Sequence, residues 1–353
     1  MSGQSEVITT AHGAGGDRMR ALIQELILPR FDGARAGSGA DAEGGPHSPG
    51  LSALDDGAVL PMGNGEAVVL TTDSHVVTPT EFPGGDIGRL AVSGTVNGLA
   101  VMGATEGLSL TCSLIVEEGV SLDRVESILD SMAETCEAAD CRIVTGDTKV
   151  MGSGELDAIA INTAGVGRVP ADGFVTDRGM RPGDRIVVSG TLGDHGIALL
   201  AAREDFDFGE ELMSDVAPVN DLVAAAMDAG TVTAMKDPTR GGFASAINEM
   251  AAKADLGVTV EEAALPVTPS VASAGEILGI DPIQVANEGK VVMAVDSDDA
   301  EAVLDAMQAR PGGEDAAIVG EVTEDHPGRV VLETGFGRRY LSVLEGDPLP
   351  RIC

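Results

Sequence analysis

Tryptophan is absent from this 353-residue chain, tyrosine occurs once and phenylalanine seven times. Its cores must therefore be built from Val, Ile, Leu, Met and Ala, for which a hydrophobic content of 43% is ample. Lysine is nearly missing too: 18 of the 22 basic residues are Arg and only 4 are Lys, against 57 acidic residues, for a net charge of −35. That balance excludes nucleic acid and anionic membrane surfaces as partners. It matches a surface adapted to concentrated salt, where screening shortens the Debye length to about 3 Å at 1 M. We read the charge as habitat rather than chemistry, which makes each surviving Lys more informative. Cysteine is scarce, at four, with no C-x-x-C pair. Neither a zinc site nor a disulfide framework follows, and Cys112, Cys136 and Cys141 read as buried spectators. No apolar run approaches the ~20 residues of a membrane span. The start, Met1 to Glu6, has no basic or apolar signal region. A cytoplasmic protein is the expectation.

What is present alternates between strand and helix patterns. Residues 1–50 hold a glycine-rich opening and a loop at 33–50 rich in Gly, Ala and Ser. Strand patterns cover Ala67–Thr72, Ser109–Val116, Ile143–Thr145 and Ala158–Gly165. Ile87–Met102 reads as a buried helix and Leu122–Ala139 as an amphipathic one. A Gly/Pro/Asp-rich stretch from Arg168 to Asp184 marks a boundary. Beyond it the alternation resumes, with helices after Gly193, at Pro218–Ala229, Gly242–Ala254 and Asp298–Ala309. Strands are expected at Arg185–Ser189, Val291–Val295, Ala316–Val322 and Arg329–Glu333. The prediction is an α/β protein with a first domain at 51–168, a second at 169–333 and a mobile tail at 334–353. That tail holds Pro348 and Pro350, stays extended, and ends in Cys353. At ~3.3 Å per residue it reaches at most about 60 Å. It reads as an arm with a nucleophile at its tip.

Several apolar strands run into polar clusters. Asp55-Asp56-Gly57 follows Leu54, Asp73-Ser74 follows Val68–Thr72, and Gly146-Asp147-Thr148-Lys149 follows Ile143–Thr145. Carboxylates fixed past strand ends suit Mg²⁺, although any one of them could simply cap the next segment. Asp237-Pro238-Thr239-Arg240-Gly241-Gly242 opens a helix and could frame a phosphate with backbone N–H groups and Arg240. Phe82–Asp86 and His12–Gly16 are similar glycine-rich openings. Asn287-Glu288-Gly289-Lys290 offers a carboxylate beside an ammonium, either as chemistry or as a surface ion pair. No G-x-x-x-x-G-K-[ST] occurs and no Rossmann fingerprint, so a nucleotide site here is of another kind.

Taken together, HGAGG at 12–16, DDGAVL at 55–60, FPGGDIG at 82–88, VTGDTKV at 144–150, SGTLGDHG at 189–196, DPTRGG at 237–242, ANEGK at 286–290 and the final PRIC carry a resemblance. The chain resembles the HypE family of hydrogenase-maturation proteins, within the larger aminoimidazole-ribonucleotide synthetase-like (PurM-like) ATP enzymes. The resemblance covers all but the 33–50 loop. It implies a homodimer of a two-domain PurM-like fold with mixed sheets, binding ATP and Mg²⁺. It implies that the final Cys takes a carbamoyl group from HypF and that ATP drives its dehydration to a thiocyanate. The cyano group would then pass to iron on a HypC–HypD complex. On that footing Asp56, Asp73 and Asp147 would hold Mg²⁺, and Asp55, Asn97, Asp237 and Arg240 would help bind the nucleotide. Cys353, Lys149 and Glu288 would be catalytic: nucleophile, polarising cation and base. At Asn97-Gly98 the family shows Asn-Asp, so one metal-site carboxylate is missing here. Glu81 likewise stands where an aromatic is usual. Two other readings stay open: the same fold phosphorylating a small amine or amide, and a non-enzymatic carrier that shuttles a group on its thiol.

Overall fold

The computed structural model describes residues 7–13, 16–31, 50–204, 206 and 211–343. The loop expected at 33–50 lies outside them except for Gly50, as does the tail from 344 with Cys353. The expectation of an α/β protein with mixed sheets holds. The first sheet, in order β1-β2-β7-β5-β6, combines β1 (Ala58–Gly63), β2 (Glu66–His75), β5 (Ser109–Glu117), β6 (Arg142–Met151) and β7 (Ile159–Pro170). Its pairs are antiparallel except β5 with β6, which run parallel. β7 shows why one face is dry: every second residue, from Ile159 and Ile161 to Val169, is buried.

That face is covered by α3 (Ile87–Ala100) and α4 (Leu122–Ala138). α3 starts where the Asp86 carboxylate accepts from the Gly88 and Arg89 N–H groups, and only Arg89 of the helix escapes burial. Small residues let it sit this deep: a Cβ at Gly88 would lie 2.4 Å from the Ile128 carbonyl oxygen of α4. α4 is capped by Ser121 and buries one stripe, with Ile128, Met132 and Cys136. The short β3 (Glu81–Phe82) and β4 (Gly85–Asp86) form a hairpin before α3.

The second sheet has the order β14-β13-β10-β12-β8-β11-β9. It takes in β8 (Arg185–Val188), β9 (Val232–Lys236), β10 (Gly257–Glu261), β11 (Val292–Val295), β12 (Ala317–Thr323), β13 (Val330–Thr334) and β14 (Gly337–Tyr340). Its helices are α5 (Asp194–Arg203), α6 (Asn220–Ala229), α7 (Gly242–Ala254), α8 (Pro269–Leu278) and α9 (Ala300–Gln308). β14 lies inside the stretch expected as tail, because Val331–Thr334 pairs with Gly337–Tyr340 as a hairpin. Residues 16–31 form a further helical run, with α1 (Gly16–Ala21) and α2 (Leu28–Phe31) joined by a π-helical turn at Leu22–Ile27. The two halves share apolar surface: Ile197, Leu199 and Val271 join the first core, and Ala100 and Val101 pack with Val187 and Val219.

Candidate functional site

A cavity of about 310 Å³ opens where the halves and the N-terminal helical run meet. Met19 and Ile23 form an apolar wall, and the opposite side carries Asp55, Asp56, Lys236, Asp237 and Arg240. The chain reaches this place for local reasons. β9 ends at Lys236, and the next residues turn into α7 through Gly241 and Gly242, both with left-handed backbone (φ 76° and 60°). At Gly242 no other residue fits, since a Cβ would stand 2.2 Å from the Val285 carbonyl oxygen.

Lys236 is the hub. Its Nζ lies 2.9 Å from Asp56 Oδ1 and 3.7 Å from both Asp177 Oδ2 and Glu249 Oε2. Burial would lower its pKa, but Asp56, Glu249 and Asp177 outweigh that and hold it well above the ordinary lysine value. Lys253 donates to Asp177 and to the Leu54 carbonyl. Even so, carboxylates outnumber cations. Burial, then Asp177 and Asp56, pushes Asp55 up to about 7. Burial and then Asp56 does the same to Asp237, also to about 7. Asp56 Oδ2 is buried without a hydrogen-bond partner. An excess of hard anionic oxygens with an orphan among them is what a divalent cation would neutralise. Among the described residues, no three His, Cys, Asp or Glu side chains converge to hold a metal by themselves. Any metal bound here therefore needs further ligands.

Asp73, at the end of β2, is about a third exposed, and its Oδ2 lies 3.3 Å from Nε2 of the fully buried His75. Burial would raise its pKa, but His75 and then Arg240 outweigh that and hold Asp73 below the usual carboxylate range. Glu288 lies on a buried turn rather than on the surface, and Lys290 pairs with Asp215 (3.3 Å), not with Glu288. Glu288 is 3% exposed and its Oε1 has no hydrogen-bond partner. Burial, then Asp73 and Asp237, drives its pKa far up, and Arg240 offsets this in part. Asp56, Asp73, Asp237, Arg240 and Glu288 thus form one electrostatic neighbourhood, as their motifs suggested.

Other expected residues stand elsewhere. Asn97 spends its amide on the seam between the halves: Nδ2 donates to the Ala217 and Glu288 carbonyls, and Oδ1 accepts from Val219 N. Asp147 and Lys149 pair with each other at 2.9 Å on β6, the outer strand, both more than 60% exposed. Register puts Asp147 level with Ser113, Asn162 and Ser74, three strands away from β2, or about 14 Å at sheet spacing. Neither lines the cavity. The Phe82–Asp86 opening is a docking turn: a Cβ at Gly84 would sit 2.6 Å from the Ser214 carbonyl oxygen. Cys353 lies outside the described residues. Sequence reading missed Lys236, Lys253, Glu249 and Asp177. The signal for the first two was there: in a chain with four lysines, Lys236 directly precedes the DPTRGG motif.

Residues 54–169 match the N-terminal domain of AIR synthase related proteins and residues 181–333 match the C-terminal domain. The chain thus belongs to that family of two-domain proteins. Within it, a carbamoyl dehydratase HypE from Cupriavidus necator is 44% identical, over 98% of this chain and 95% of that relative. A HypE solved in a HypE–HypF complex matches with a TM-score of 0.82 and 40% identity, over 92% of this chain and 100% of the other. A HypE solved in complex with ATP matches with a TM-score of 0.79 and 38% identity, over 98% of this chain and 100% of the other. The chain belongs to the HypE family of hydrogenase-maturation proteins.

Proposed function

We propose that this chain is an ATP-dependent carbamoyl dehydratase of [NiFe]-hydrogenase maturation, acting on a carbamoyl group carried by its own Cys353. The observation that carries this reading is Glu288: a buried carboxyl whose Oε1 has no hydrogen-bond partner, in the electrostatic neighbourhood of Asp73, Asp237 and Arg240. The relatives' names and their solved complexes with HypF and with ATP support the same reading.

The Cys353 thiolate first takes a carbamoyl group from HypF: an S–C bond forms as the bond from the carbamoyl carbon to its carrier on HypF breaks and that carrier leaves. ATP then transfers its γ-phosphoryl to the thiocarbamate oxygen: the bond to ADP breaks and a C–O–P linkage forms. Loss of phosphate breaks the C–O bond, and of the two N–H protons one leaves with the phosphate and the other goes to Glu288 in its ionised form, so that S–C≡N remains. Arg240 and the α7 N-terminus face the phosphate side, and Lys236 offsets its charge. Where Mg²⁺ is bound, Asp56 and Asp73 would hold it together with the phosphates, and it would supply further neutralisation of their charge. The cyano group then passes to iron on HypC–HypD: the S–C bond breaks, two electrons from the iron complex make the group a bound cyanide, and Cys353 returns as a thiolate.

The protein works as a homodimer in this proposal. The sheet face opposite α3 exposes Leu60, Met62, Leu70 and Val166 by 40% to 61%, and β6 leaves one edge unpaired. Such a face and edge call for cover. A second copy packed there would offer Asp147 as a further metal ligand and Lys149 as the polarising cation. In a timed reaction with HypF, carbamoyl phosphate and ATP, wild type should finish with a thiocyanate tail and Glu288→Gln should accumulate the carbamoyl form. Wild-type dehydration by E288Q would remove Glu288 from the reaction.

A further inference from the structure

The turn that carries Glu288 is held from other parts of the chain: Asn97 Nδ2 donates to the Glu288 carbonyl, and one carboxylate meets all four of its residues. Asp215, 4% exposed, sits on the segment between α5 and α6. Its Oδ1 accepts from Glu288 N at 3.2 Å. Its Oδ2 accepts from Gly289 N at 3.3 Å and Asn287 Nδ2 at 2.9 Å, and lies 3.3 Å from Lys290 Nζ. All four residues of the turn thus touch one carboxylate. The segment bearing Asp215 is fixed in turn. Ser214 N donates to the Pro83 carbonyl, Ser214 Oγ lies 2.8 Å from His195 Nδ1, and Asn97 holds Ala217 and Val219. The approach is close enough that a Cβ at Gly289 would stand 1.9 Å from the Asp215 carbonyl oxygen.

We propose that Asp215 is a positioning residue for dehydration: it fixes the Asn287–Lys290 turn so that the Glu288 carboxyl stands where the carbamoyl nitrogen loses its proton. The proposal rests on the role given to Glu288 above. Asp215 touches no substrate and acts through Glu288 alone. Four contacts to one buried anion hold the turn in place, and displacement of a catalytic group by about 1 Å can cost roughly 100-fold in rate.

The test uses full-length protein already carbamoylated by HypF, with ATP added and the tail mass followed after rapid quenching. Asp215→Asn turns an amide NH₂ toward donors that now meet Oδ2, which shifts the turn. We expect dehydration to slow about 100-fold, with the ATP concentration for half-maximal rate changed by less than about twofold. The D215N/E288Q double variant should be no slower than E288Q, because both act through one group. Should D215N not melt cooperatively, Asp215→Glu carries the test: it keeps the charge opposite Lys290, displaces it by one methylene, and should show the same deficit. Wild-type dehydration by a folded variant, or rate losses that multiply in the double variant, would overturn the proposal. E288Q reacting at the wild-type rate would overturn the role of Glu288 and this inference together. An inactive E288Q beside a fully active D215N would remove only this inference.

Discussion

Lys236 joins the chemistry and the stability of the site in one side chain. Its ammonium serves Asp56, Asp177 and Glu249 at once, and its side chain is only 11% exposed. Lys236→Met would leave three carboxylates around an apolar stub. Breaking buried pairs of this kind costs on the order of 3 kcal/mol, so the variant should melt well below wild type; an unchanged melting temperature would show that the network is not stabilising. Asp237 makes the opposite prediction. Its folded-state pKa of about 7 lies above the ordinary 3.8, so the folded protein binds that proton more tightly than the unfolded chain. Stability from this group is therefore fully present below about pH 4 and is lost as pH rises toward 7. Asp237→Asn removes the penalty. It should melt above wild type at pH 8, with the gap narrowing by pH 5 and closing near pH 4; a gap that is equal at pH 8 and pH 5 would contradict the assignment.

At the scale of elements, β6 is the telling one. A ten-residue strand exposed on both faces, with Ile143, Val144 and Val150 40%, 58% and 72% exposed, is stable only when covered. Val150→Asp or Leu70→Asp should convert a dimer to a monomer in sedimentation, with dehydration lost in step. A dimer that survives both substitutions would move the interface elsewhere. What could be read from the sequence follows from the same physics. α3 was legible because apolar and small residues surround most of it, and α4 because its acidic positions fall on one side. Clusters at strand ends were legible as candidates, and Asp56, Asp73, Asp237, Arg240 and Glu288 do come together. Which face and which neighbour each residue meets was not legible, since these depend on pairings distant in sequence. Asp147 and Lys149 lie late in a strand just as Asp73 does, yet their strand is the outermost. Glu249 and Lys253 reach the cavity only because α7 presents one face to it. β9, β10 and β14 are four or five residues long, too short for a periodic signal. α8 carried a start signal at Thr268-Pro269, whose cap accepts from Val271 N.

For the whole molecule, a charge of −35 in 353 residues is self-repelling, and the cost is largest when salt is low. The melting temperature should rise steadily from about 0.1 M to above 1 M KCl as the Debye length falls from ~10 Å to ~3 Å. A flat profile would mean that the acidic excess is neutral to stability. No helix among the described residues is long and apolar enough to cross a membrane. The chain ends in Cys353, and the mass of its last peptides tests whether the reaction runs on that thiol. Wild type and Cys353→Ala are incubated with HypF, carbamoyl phosphate and ATP, and peptides from the tail are weighed over time. The account predicts that the wild-type tail gains a carbamoyl group and then loses one water, the second step only with ATP, while the C353A tail stays unmodified. A wild-type tail that never changes mass, in a folded sample that still consumes ATP with or without Cys353, would contradict it.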